Sequence, residues 1–126
     1  MTIPTLLRAA FITSAILFSA GVSLTPQEQK TKRVPQFEND QVKVWKSIVW
    51  PNEPLSMHRH DHARVIIPVV GGTMKIVQEG GASSTHQWDA GNAYWLTADP
   101  PKQLHADVNA GTKPIEVMVV ELKDEK

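Results

Sequence analysis

From Gln41 onward the chain alternates. Val42, Val44, Ile48 and Trp50 share one parity, with Lys46 as the exception. A period of two is the mark of a β-strand, because successive side chains point to opposite faces. Pro51-Asn52-Glu53-Pro54 interrupts the run. Arg64 to Val70 is rich in β-branched residues and stops at Gly71-Gly72, a hairpin signal. Thr73 to Gln78 returns as the next strand, Glu79 to Ser84 is a turn, and Thr85 to Trp88 is a short strand closed by Asp89-Ala90-Gly91. Ala93 to Leu96, Gln103 to Asn109 and Ile115 to Leu122 complete the series. About seven to nine short strands, with a turn roughly every eight to twelve residues, predict an all-β sandwich or barrel. No stretch after residue 25 repeats at helical spacing.

The pattern ahead of this is different. Arg8 is the last charge before an apolar run from Ala9 to Leu24 that ends among small residues. A positive flank, an apolar stretch and small residues are the parts of a signal peptide. We therefore expect residues 1–23 to be a signal-peptide helix, 24–40 a linker or first edge strand, and 41–126 the barrel. The expected location is periplasmic or secreted, with no stable membrane association after cleavage. The alternative is an uncleaved anchor, although the run is short of the roughly 20 apolar residues of a full span.

Composition narrows the chemistry. The 126 residues carry 13 Lys plus Arg and 13 Asp plus Glu. No basic surplus is available to neutralise phosphates, so nucleic acid is not the expected partner. No nucleotide-binding loop is present, and no nucleotide cofactor is expected. The absence of cysteine excludes disulfides, thiolate metal sites and cysteine nucleophiles. What remains is histidine. Three of the five lie in Met57-His58-Arg59-His60-Asp61-His62-Ala63-Arg64. On an extended strand His58, His60 and His62 would share a face, at a spacing suited to gripping one metal ion. His105 is the candidate for a ligand from elsewhere, and His62 is a further candidate. His86 has the default reading of a surface or hydrogen-bonded residue. Trp50, Trp88, Trp95 and Tyr94 read as core or rim packing.

These residues carry a resemblance. His58-x-His60-x-x-x-Arg64, followed by Gly71, looks like the first cupin motif. Pro100-Pro101-Lys102-Gln103-Leu104-His105-x-x-x-Asn109, with Gly91 upstream at a slightly long gap, looks like the second. The resemblance spans Val42 to Leu122. Within cupins the chain is most similar to small single-domain proteins labelled as β-alanine-degradation proteins, a label that names no reaction. The resemblance implies a jelly-roll β-barrel with His58, His60 and His105 as ligands to a divalent metal, with iron, manganese, nickel and zinc not distinguished. It also makes a homodimer the expected assembly. The usual fourth ligand is a glutamate at the position held here by Arg64.

That departure sets the functional question. A guanidinium about 5 Å from a divalent ion is repelled by roughly 6–7 kcal/mol at an effective dielectric near 20. Arg64 could swing out to an acid such as Asp61 or Glu53, an anion could bridge it to the metal, or the metal could be absent. The bridging case suits a small carboxylated ligand, because guanidinium is a two-pronged donor for carboxylates. Gln103, two before His105, is a second candidate for contacting it. Two readings follow. One is a metal-dependent dioxygenase, isomerase or lyase acting on a small molecule. The other is a non-catalytic binding or sensing module whose metal site is lost. General-base candidates are few, with His62 the nearest.

Overall fold

The computed structural model describes residues 21–23, 25 and 28–124, so the expected signal-peptide helix falls outside the described residues. The described chain is all-β. Its nine strands are β1 (Lys32–Glu38), β2 (Val42–Val49), β3 (Leu55–His58), β4 (Arg64–Val70), β5 (Gly72–Gln78), β6 (Ser83–Trp88), β7 (Tyr94–Leu96), β8 (His105–Asn109) and β9 (Ile115–Leu122). They form a five-stranded sheet in the order β1-β2-β9-β4-β7 and a four-stranded sheet in the order β3-β8-β5-β6. Every strand pairing is antiparallel. β1 pairs with β2 along its length, so the sheet also takes in residues ahead of Gln41.

The two sheets close over Trp45, Val49, Ile66, Met74, Trp88, Ile115, Val117 and Val119. The hairpin between β4 and β5 needs its glycine, since a Cβ at Gly71 would overlap the Trp88 carbonyl. Asn109 ties the far end of the barrel. Its Nδ2 donates to the Val49 and Lys113 carbonyls at 2.8 and 2.6 Å, and its Oδ1 accepts from the Gly111 N–H at 2.8 Å. A side chain only 4% exposed is thereby satisfied at both ends.

The alternation in β2 is real, but the core uses its other parity. Trp45, Ser47 and Val49 turn inward, while Val44 belongs to a lateral row across the sheet. That row runs Phe37–Val44–Val120–Val65–Trp95, one apolar side chain from each strand in register. Its ends are open, with Phe37 58% and Trp95 55% exposed. Both faces of this sheet are therefore apolar, which is why parity in the sequence could not tell inside from outside. Trp95 lies on this outer surface rather than in the core.

Candidate metal centre

His58 ends β3 and His105 begins β8, and the two are directly paired across the strands. His60 follows in a short non-strand segment before β4. The predicted continuous histidine strand therefore stops at His58. His60 is brought inward by a loop, not by strand alternation. A clasp fixes that loop, since the His60 N–H donates to Asp99 Oδ2 at 2.7 Å and the Asp99 N–H donates to the His60 carbonyl at 2.8 Å. The ring centroids of His58 stand 4.4 Å from His105 and 5.0 Å from His60, and those of His60 and His105 are 5.7 Å apart. One ring nitrogen from each lies within 4.8 Å of the other two. His60 and His105 are each 7% exposed. His60 stacks parallel to Trp45, with centroids 6.2 Å apart.

Each ring has its Nδ1 turned to an oxygen outside the cluster. His58 Nδ1 lies 2.7 Å from the Ser56 carbonyl, which can only accept, so this nitrogen carries the proton. His60 Nδ1 is 3.4 Å from Glu121 Oε2, and His105 Nδ1 is 3.5 Å from Asp99 Oδ2. An acceptor on Nδ1 leaves the Nε2 lone pair for a metal, the arrangement that orients metal-binding imidazoles in general. His58 Nε2 is buried with no hydrogen-bond partner. A buried acceptor without a partner costs about 1–3 kcal/mol, and a cation at that point would remove the cost. The residues present therefore fit a divalent metal.

Arg64 opens β4 and points into the barrel with 6% exposure. It pairs with an acid, but with neither Asp61 nor Glu53. Its Nη1 donates to the Thr97 carbonyl at 3.1 Å and its Nη2 lies 3.7 Å from Asp99 Oδ1. A second guanidinium, unread in the sequence, is Arg33 from β1, stacked 5.2 Å over the Trp45 ring. Both arginines line a cavity of about 310 Å³ together with His60, His105, Gln103 and Asp107. His62 lies apart from the cluster. It borders a neighbouring cavity of about 430 Å³ with Glu121, and its Nδ1 is buried and unpartnered. His86 stacks on Trp88 with centroids 5.3 Å apart, at the edge of the first cavity.

Charge in the cavity differs from what position 64 alone implies. Asp99 and Asp107 balance Arg33 and Arg64 within it, and Glu121 adds a further carboxylate behind His60 from the neighbouring cavity. Sequence reasoning missed these acids. Asp107 was the most accessible to it, two residues past His105 and so on the same strand face. Asp99, in an irregular loop, gave no signal.

Burial lowers the pKa of both His58 and His105 from 6.5, against the opposing pull of Asp107 on each. The hydrogen bond from His60 lowers that of Glu121. As pH falls below 6.5 the unfolded chain takes up protons that the folded histidines refuse, so stability declines towards their lower folded values. Glu121 contributes stability above its ordinary 4.5, which is lost at more acid pH. The metal-free protein is thus expected to melt at lower temperature at about pH 5.5 than at about pH 7.5. Scanning calorimetry in chelator checks this, and an equal or higher melting point at the acid pH would contradict it.

No family model matches the chain, and no curated protein does. Solved structures match well. A cupin domain from Bordetella pertussis Tohama I aligns with TM-score 0.66 at 23% identity, covering 77% of this chain and 97% of its own. A conserved protein with a double-stranded β-helix domain from Klebsiella pneumoniae aligns with TM-score 0.57 at 20% identity, covering 86% and 90%. An RmlC-like cupin family protein from Methanocaldococcus jannaschii aligns with TM-score 0.58 at 13% identity, covering 78% and 84%. Identity this low speaks for the fold alone, and that fold is the cupin double-stranded β-helix. The comparisons carry the resemblance to the cupin fold and no further.

Proposed function

We propose that this chain is an exported cupin-fold protein that binds a divalent metal through His58, His60 and His105. In the same cavity it holds a small carboxylated molecule through Arg64 and Arg33. The observation that carries the reading is the shared Nδ1 engagement of the three rings, with His58 Nε2 buried and unpartnered. The apolar run after Arg8 supports export.

In this reading the metal supplies a Lewis acid that polarises an oxygen of the ligand. The chain's own groups do the rest. Arg64 is held by Thr97 and Asp99 with part of its guanidinium fork left over for a carboxylate. Arg33, set over Trp45, adds positive charge from the β1 side. Leu55, Ile66, Met74 and Leu96 give the cavity an apolar wall, which lowers the local dielectric and strengthens these contacts. A second reading, binding without turnover, is favoured by the acids. None of Asp99, Asp107 and Glu121 is clear of the histidine cluster to serve as a general base.

Elemental analysis of the purified mature protein tests the metal. The expected result is close to one equivalent of iron, manganese, nickel or zinc per chain. No metal after anaerobic reconstitution with each would overturn the reading. Calorimetric titration of the loaded protein with short mono- and dicarboxylates then tests the ligand class, with uncharged amide analogues expected to bind at least about tenfold more weakly.

A further inference from the structure

The chain lacks a carboxylate where the cupin resemblance expects one, yet the cavity contains one in a different place. Asp107 lies on β8 two residues beyond His105, so alternation turns both into the barrel. Its Oδ2 stands 3.6 Å from His58 Nε2 and its Oδ1 3.8 Å from His105 Nε2. These separations are too long for hydrogen bonds. They are a few tenths of an ångström longer than the spacing of neighbouring donors around one ion, about 3.0–3.5 Å for bonds of about 2.1 Å. Asp107 faces two of the three histidines from outside the group whose nitrogens lie within 4.8 Å of one another. Among the described residues no hydrogen-bond donor reaches the Asp107 carboxylate, although its side chain is only 19% exposed. The nitrogen of His58 that faces it is likewise buried and unpartnered. Two lone-pair acceptors and a carboxylate thus meet with nothing positive between them.

We propose that Asp107 is the fourth protein ligand of the metal, replacing from β8 the glutamate that β4 lacks. The donor set is then three imidazoles and one carboxylate, position 64 need not supply a ligand, and the Arg64 guanidinium is available to bind an anion. The inference rests on the metal-binding reading of the three histidines. It distinguishes Asp107 from Asp99 and Glu121, which face Nδ1 atoms and act as positioning residues.

Cobalt(II) is the probe, because its visible absorption reports coordination number and donor type. Wild type and Asp107→Asn are titrated with cobalt(II) in competition with a chromophoric chelator. For D107N the expected result is an affinity lower by about 100-fold or more and a shifted, altered d–d band. For Asp99→Asn and Glu121→Gln it is a loss of about 10–100-fold with the band unchanged. D107N that keeps its affinity within about threefold and its band unchanged would overturn the assignment while leaving the three-histidine site standing. Wild type that binds no cobalt overturns both. Asp107→Ser is the second variant should the asparagine protein fail to show cooperative melting.

Discussion

His105→Ala and His58→Ala are each expected to abolish stoichiometric metal binding, while His86→Ala is expected to retain it. The two sensitive residues are direct partners across β3 and β8, and their rings are 4.4 Å apart, so either truncation removes one wall of the same small space. Loss of a residue that merely orients a ligand costs about 10–100-fold in affinity, so loss of a ligand itself is expected to exceed about 100-fold. His86 offers no such role, because its ring lies flat against Trp88 rather than among the three converging nitrogens. Zinc competition assays on the three variants check this, with circular dichroism to confirm that each remains folded. Equal affinities across all three would remove the proposed centre.

The strand series was readable from Gln41 onward because most strands have β-branched or aromatic residues and most turns have a glycine, proline or asparagine. β3, Leu-Ser-Met-His, and the connection from Arg59 to Ala63 have neither, and there the expected histidine strand overran. β4 and β9 fall where the alternation puts them. The direction each face points was not readable in β2, because Val44 and Val120 make the outer surface as apolar as the inner one. At the site, His58 was visible through spacing, and His105 as the candidate from elsewhere in the chain and through the resemblance to the second cupin motif. His60 was anticipated for a reason the structure replaces, since the Asp99 clasp and not strand parity turns it inward. Arg33 and Asp99 were hidden altogether. Their place in the cavity depends on β1 packing beside Trp45 and on a loop that folds back on His60, and neither contact leaves a periodic trace.

The missing glutamate gives the second large effect. Arg64→Glu is expected to tighten metal binding by about 10–100-fold, or about 1.4–2.7 kcal/mol. The bare repulsion between a guanidinium and a divalent ion about 5 Å away is larger, roughly 6–7 kcal/mol. Asp99, 3.7 Å from Nη2, already offsets part of it, so only the remainder can be recovered. The same change puts a carboxylate where Asp99 had its cation, and it removes the hydrogen bond to the Thr97 carbonyl. Leaving a mostly buried acid short of its partner costs about 1–3 kcal/mol, so the metal-free variant should melt roughly 5–20 °C lower. Carboxylate binding should weaken in parallel, because the guanidinium fork is gone. One readout rises and two fall for one reason, the reversal of charge at a single buried position. If metal affinity stays level while stability and carboxylate binding fall, Arg64 serves the anion and the barrel wall without reaching the field of the ion.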